Sequence, residues 1–343
     1  ADAQLRMWDQ TKDSIWTQRA LGAAQQAASL NDNLPEVHLG LGSIDTATGR
    51  TGEAIAQLQR ALQLAPNSDE ALRRLGIAYG KAGRPQDAIA VYLKAVEINP
   101  YYWNNYNQLG GSYAALGQNE NALKAFQRIT ELEPDRATGW ANIGIIYKQQ
   151  SRWNDAITMF KRAIDITPAP LYYSNLGAAY LVLGRYNEAA PMFEKAVALS
   201  PNSPLYERNL ADAYRFSGQT DKAMTAYDKA IALAFNAYKV NPSDAGNIGL
   251  LAICYAKKGD GKQAMNFIGQ ARAIDPNDNG LVYKEAVIHA IAGRTGEALA
   301  RLSEALKKGY SLQEATSDPD LKALRDTDEF KRILTELSRK PTQ

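Results

Sequence analysis

Few residues in this chain could do covalent or acid–base chemistry. One cysteine, Cys254, and two histidines, His38 and His289, supply all its thiol and imidazole groups. A single thiol can form neither an internal disulfide nor a cysteine metal cluster. A catalytic triad needs an imidazole as its base. Both histidines fall in slots where other segments of the chain carry aromatic residues, so they read as packing residues. Cys254, beside Leu251 and Ala252, reads as a small buried residue rather than a reactive thiol. Gly49 to Ala54 and Gly293 to Ala298 both run Gly-Arg-Thr-Gly-Glu-Ala. They resemble phosphate-cradling loops but lack the G-x4-G-K-[ST] spacing that such cradles need. No H-E-x-x-H, nucleophile elbow or kinase signature occurs. The sequence therefore predicts no enzyme, no metal and no cofactor, and directs attention to surfaces that bind.

Bulk properties narrow the partner. With 39 basic and 37 acidic residues the net charge is +2, so no basic stripe argues for nucleic acid. The 343 residues exceed the roughly 250–300 at which one compact core stops growing. The chain must split into domains or grow in one dimension. No apolar run reaches the ~20 residues a membrane helix needs, and no signal segment opens the chain. Cytoplasm is the expected compartment, with periplasm the alternative if a membrane anchor lies upstream. The chain begins at Ala1 without Met, so an upstream segment could carry such a signal.

The elements that position side chains come from an internal repeat. Pro66, Pro100, Pro134 and Pro168 are 34 residues apart, and Pro201, Pro242 and Pro276 follow after 33, 41 and 34. Gly49, Gly83, Gly117, Gly184, Gly218, Gly259 and Gly293 keep step, with Ser151 filling one slot. So do Ala54, Ala88, Ala122, Ala156, Ala189, Ala223, Ala264 and Ala298. Between successive prolines lie two amphipathic stretches of helical period. The glycine between them supplies the left-handed residue that ends the first helix, and the proline stops the second. Small residues let two helices approach closely. Tyr92, Phe126, Phe160, Phe193 and Tyr227 read as large fillers between neighbouring repeats. Each helix is too short to be stable alone in water, so stability must come from stacking.

The pattern Trp140…Ile143-Gly144…Tyr147…Ala156…Phe160…Ala163…Pro168 resembles the tetratricopeptide signature. Tyr173…Leu176-Gly177…Tyr180…Ala189…Phe193…Ala196…Pro201 is a second clean copy. The resemblance covers essentially the whole chain. It implies an all-α, right-handed superhelical solenoid of eight repeats over 35–310. Ala20 and Ala27 match the second-helix small positions, so residues 1–34 read as a truncated helical pair before them and the chain as a fragment of a longer polypeptide. A capping segment over 311–343 follows.

The family resemblance also implies that first helices line a concave groove. Its groove-facing slots hold Arg73, Arg74 and Lys81; Asn104, Asn107 and Gln108; Asn142, Lys148 and Gln149; Ser174 and Asn175; and Arg208, Asn209, Asp212 and Arg215. Asn142, Asn175 and Asn209 share one slot, with Gln108 before them. A side-chain amide both donates and accepts, so this row could hold an extended peptide backbone without reading its side chains. Asparagine also serves this slot as a local structural residue. A two-carboxylate clamp fits poorly, because its slots read Arg73/Ile77 and Arg208/Asp212. Among the aromatics at 101–106, Tyr101 and Tyr102 read as contact residues and Tyr106 as core.

The first and eighth repeats are weak, as ends should be. The sixth carries seven extra residues within Ile231–Val240. Seven residues fall only ~20° short of two full helical turns, so one long second helix projecting from the stack is expected. That extension is either a tolerated length variant or a contact ridge. Past Tyr310 the pattern stops. Asp318 can cap a helix opened by Pro319, and Leu321, Leu324 and Phe330 could cover the last repeat. This ending resembles the terminal segment of tetratricopeptide arrays fused behind bacterial serine/threonine kinases and other signalling domains. The leading expectation is a scaffold or docking module for an extended peptide or partner helix. The rivals are a regulatory arm of a signalling enzyme and an RNA-binding helical repeat. Self-association through the end repeats is a further expectation.

Overall fold

In the computed structural model residues 14–338 are described, together with Met7. The first part of the expected pair over 1–34, and the last residues of the expected cap, lie outside the described residues. Every described element is helical, and none is long and apolar enough to cross a membrane. The chain is an all-α solenoid of helix–turn–helix repeats.

Two compact units divide it, 1–146 and 147–343. In the first unit, α1 (Ser14–Leu30) precedes α2 (Pro35–Ala47) and α3 (Thr51–Leu64). Next come α4 (Asp69–Lys81) with α5 (Pro85–Ile98), and α6 (Trp103–Ala115) with α7 (Asn119–Leu132). The helix α8 (Ala137–Gln149) carries the boundary. The second unit begins with α9 (Trp153–Ile166). It continues with α10 (Pro170–Val182) and α11 (Tyr186–Leu199), then α12 (Pro204–Phe216) and α13 (Thr220–Val240). The pairs α14 (Ala245–Lys257) with α15 (Gly261–Ile274) and α16 (Asn279–Ile291) with α17 (Thr295–Lys307) complete the stack. The ending is α18 (Leu312–Ser317), a 3-10 turn (Pro319–Leu321), α19 (Lys322–Arg325) and α20 (Asp328–Ser338).

The repeat's punctuation has a local cause. Between paired helices the turn residue adopts positive φ, +70° at Gly83 and +57° at Ser151. The amide of Arg84 then reaches back to the Tyr79 carbonyl at 2.9 Å, the six-residue closure that satisfies a helix C-terminus. An acid such as Asp87, Asp155 or Glu188 sits in the first turn of the following helix, where the helix dipole favours negative charge. The preceding arginine pairs with it and lies over a first-helix tyrosine, as Arg84 over Tyr79 and Arg185 over Tyr180.

The aromatic fillers also pack within their own repeats, while Tyr92 shares a buried cluster with Leu109 and Ala125 of the next. A Cβ placed on Gly76 would stand 2.4 Å from the Tyr92 ring, and one on Gly110 would stand 2.5 Å from Phe126. Phe193 lies over Gly177 in the same way. At these three positions the ring fills a glycine hole on the first helix of its own repeat, because only glycine leaves room for it there. The seven extra residues extend α13 to 21 residues. This helix does not project freely: Ala234 is fully buried, and Tyr238 meets the Phe267 ring edge-on and reaches Gln270. Leu321, Leu324 and Phe330 are buried in one core with Leu281, Ala286 and Leu302.

Candidate functional site

In the first unit the first-helix faces are polar and half-buried. Asn142 Nδ2 donates to Asn107 Oδ1 at 2.8 Å, joining α8 to α6. Gln108 donates to Asn104 Oδ1 within α6 at 3.3 Å. Arg74 donates to Ser43 Oγ at 2.5 Å and pairs with Glu70 at 2.6 Å. Lys81 caps the Thr46 carbonyl at 3.0 Å. Arg73 lies over the Tyr102 ring, 5.1 Å from its centre. Tyr101 is 75% exposed, beside that pair. Tyr106 is half-buried, not core: its hydroxyl donates to the Pro100 carbonyl at 3.0 Å. Asn105, which sequence reasoning passed over, is fully buried and donates to the Ala95 carbonyl at 3.0 Å. It locks α6 to the end of α5.

In the second unit, Asn209 Nδ2 donates to Ser174 Oγ at 3.3 Å. That is the same inter-repeat step as Asn142 to Asn107. Both asparagines thus commit an amide N–H to the preceding repeat, whereas the Asn175 side chain has no hydrogen-bond partner among the described residues. The row of equivalent slots is therefore chemically uneven.

The first-helix face of this unit is covered by the chain's own ending. Gln313 in α18 donates to the Lys148 carbonyl at 3.1 Å and also to Ser151 Oγ. Arg215 pairs with Asp320. Lys257 Nζ lies 2.7 Å from Asp212 and 2.9 Å from Asp320. The Tyr227 hydroxyl donates to Asp212, and the Tyr283 hydroxyl donates to Asp318 at 2.6 Å. Lys257 is only 4% exposed and Asp320 5%. Asp212 and Arg215 are therefore not free groove residues: Asp320, 105 residues downstream, engages Arg215, and Lys257 and Tyr227 engage Asp212. Lys257, Tyr283 and Asp320 belong to this site but were missed. The spacing of Asp318 and Asp320 was visible, but their distant partners were not.

Burial and neighbouring charge set the protonation states. Burial pushes the Lys257 ammonium pKa down, but Asp212 and Asp320 outweigh it and raise the net value. For Asp320 burial pushes up, while Lys257 and then Arg215 hold the carboxyl below its usual range. Asp318 goes the other way, raised by burial and by Asp320. Burial pushes the Cys254 thiol up to about 12. His38 is bound at both ring nitrogens, to Gln57 Oε1 and the Asp32 carbonyl, each at 2.7 Å. Among the described residues no cluster of histidine, cysteine and carboxylate could hold a metal ion.

Beside the covered face lies a cavity of about 620 Å³. It is walled by the first helices α10, α12, α14 and α16 and by the ending from Tyr310 to Asp320. Arg208, Asn209 and Lys148 line it, together with Lys284.

Comparison with known proteins agrees with this architecture. No curated protein matches the chain in sequence. A tetratricopeptide repeat protein from Parabacteroides merdae shares 16% identity at a TM-score of 0.53, covering 79% of this chain and 98% of its own. The APC/C hetero-tetramer Cut9–Hcn1 gives 15% identity and a TM-score of 0.53, over 92% of this chain and 58% of that one. A thermophilic TPR protein from Thermus thermophilus is 26% identical over 53% of this chain and 99% of its own, with a TM-score of 0.45. Residues 250–343 match the family described as A/B hydrolase-like, N-terminal domain. Residues 7–234 match a family of tetratricopeptide arrays. Two thirds of the chain is thus covered by one description, and the chain belongs to that family, the Cilia and flagella-associated protein 70 C-terminal domain, whose helical-repeat fold is a protein-interaction scaffold.

Proposed function

We propose that the protein is a docking scaffold whose first unit presents the first-helix faces of α4, α6 and α8 to an extended peptide or a partner's helix. The observation that carries this reading is the polar, half-buried face around Asn107, Gln108 and Asn142, with Tyr101 exposed beside the Arg73–Tyr102 stack. Amides supply paired donors and acceptors to a peptide backbone. An exposed tyrosine beside a fixed guanidinium is a suitable anchor, since aromatics and arginine dominate binding energy at interfaces. In the second unit Arg215 pairs with Asp320 of the chain's own ending, and Asp212 is held by Lys257, which Asp320 also engages. The peptide site is therefore assigned to the first unit, with Asn175 and Asn209 outside it. The near-neutral charge disfavours RNA. The protein is taken to act as a binding module without catalysis, in the cytoplasm.

The test is a peptide array probed with the whole chain, with a Tyr101→Ala variant and with a Gln108→Ala/Asn142→Ala variant of unchanged helicity. Peptides bound by the parent and lost by both variants would support the site. Equal binding by all three would remove it. A second reading rests on the match of residues 250–343 to an N-terminal domain of hydrolase-like proteins. On that reading the array is the docking arm of a polypeptide with a hydrolase-like domain, rather than a kinase. The mass and activity of the native gene product would separate the two.

A further inference from the structure

The cavity of the second unit has a chemistry that the scaffold reading leaves unused. Its volume of about 620 Å³ falls within the range of small-ligand pockets. Leu181, Val182, Phe216, Leu250 and Val287 form an apolar wall. Two cations share the same space. Arg208 stands 3.6 Å from Asp212, beyond hydrogen-bond reach. Its Nε is buried with no partner. The Lys284 ammonium makes no hydrogen bond or ion pair among the described residues, and burial lowers its pKa, with Asp278 opposing and Arg208 adding to the shift.

Four acids line the same cavity, Asp212, Glu314, Asp318 and Asp320, and none of them pairs with Lys284. Glu314 lies beside the Tyr310 hydroxyl, whose pKa burial and then Glu314 raise. Asp212 accepts from Lys257 and Tyr227, Asp320 from Lys257 and Arg215, and Asp318 from Tyr283. A half-buried ammonium and guanidinium facing one cavity without saturating partners carry a desolvation cost. A neutral ligand would leave that cost in place, and a cation would add to the repulsion. A compact dianion would satisfy the cations but waste the apolar wall.

We propose that this cavity binds a small amphipathic carboxylate, its head between Arg208 and Lys284 and its tail along Leu181, Val182, Phe216, Leu250 and Val287. The site lies wholly within the second unit and is independent of the peptide surface assigned to the first. Either can fail without the other.

Titration calorimetry of the whole chain with sodium octanoate, 1-octanol and octylammonium chloride tests it. Octanoate is expected to bind saturably with one-to-one stoichiometry. The alcohol and the amine should bind about tenfold more weakly or worse, as loss of a charge-assisted hydrogen bond implies. Lys284→Met and Arg208→Gln should each weaken octanoate by about tenfold. Trp153 lines the cavity, so octanoate should also change an emission component that Trp153→Phe removes. That measurement stands even if the charge variants misfold. No saturable octanoate binding, equal affinity for 1-octanol, or an emission change untouched by Trp153→Phe would overturn the assignment. So would unchanged affinity in folded forms of both charge variants.

Discussion

Replacing Asp320 by alanine should loosen the ending of the chain by an amount that its surroundings fix. Asp320 and Lys257 are 5% and 4% exposed, and Asp212 is 9% exposed. With Arg215 they form a cluster of two acids and two bases. Removing Asp320 leaves one uncompensated positive charge. Breaking a buried pair costs about 3–5 kcal/mol. Arg215 still reaches water, and Lys257 keeps Asp212 at 2.7 Å, so the low end applies, about 3 kcal/mol. That corresponds to a roughly 150-fold rise in the opening equilibrium. Amide hydrogen exchange resolved over Leu312–Arg325 reads it directly, because local opening is what exchange reports. The pH dependence has a definite sign. Lys257 and Arg215 hold the Asp320 carboxyl below its usual range against its burial. Its stabilisation is therefore present above the unfolded carboxylate value of about 3.9 and is lost as pH falls through the lower folded value. The parent should lose protection in this segment below about pH 4, and Asp320→Ala should lack that contribution. Asp318 has a raised pKa, so its ionisation opposes folding above that value. Asp318→Asn, which keeps an oxygen for the Asp320 amide at 2.8 Å, should preserve or improve protection. A threefold change or less in Asp320→Ala, or full protection in Asp320→Asn, would refute the reasoning.

Other positions give independent tests. Gly76→Ala forces a methyl to within 2.4 Å of Tyr92 and should destabilise the first unit by about 1–3 kcal/mol. Gly80→Ala in the same helix meets nothing within 4 Å and should stabilise by about 1 kcal/mol; thermal denaturation of the two variants should move in opposite directions. Ser151→Gly relieves a left-handed residue at φ +57° and should add about 1 kcal/mol, less what the Gln313 hydrogen bond contributes. A lowered melting temperature would show that this hydrogen bond outweighs the strain. Cys254 is fully buried, and its thiol is pushed up to about 12. Iodoacetamide at pH 8 should label it only in denaturant, and rapid native labelling would contradict its burial.

What the sequence disclosed follows from the range of the forces involved. The repeat was legible because its determinants are local. A glycine at the turn, a small residue four places into the second helix and a proline after it each act within a few bonds of where they sit. Ser151 was readable as a turn residue for the same reason, and its positive φ matches its slot. The glycine–aromatic pairs were half legible. Both members were marked, but periodicity alone did not show that Tyr92 fills Gly76 in its own repeat as well as packing with Leu109 of the next. Asn105 escaped notice because a polar residue on a polar helix gives no sign that its amide closes the end of the preceding helix.

The ending of the chain shows where such reading stops. Its apolar residues implied a cap, and Leu321, Leu324 and Phe330 do lie in the last core. That face fixes the orientation of the segment, and the other face must then lie along the first helices. The acids at 318 and 320 thereby meet Tyr283, Lys257 and Arg215. Nothing in the local pattern distinguishes an aspartate that caps a turn from one that also closes a buried charge cluster, and Asp318 caps while Asp320 closes. Residues assigned to an open groove by repeat position, Asp212 and Arg215, are for this reason spent internally. The same geometry leaves Arg208 and Lys284 short of partners. Covering the face engages Asp212, Asp318 and Asp320 elsewhere, and the proposed preference of the cavity for an anion rests on the two cations that this leaves without a hydrogen-bonded acid.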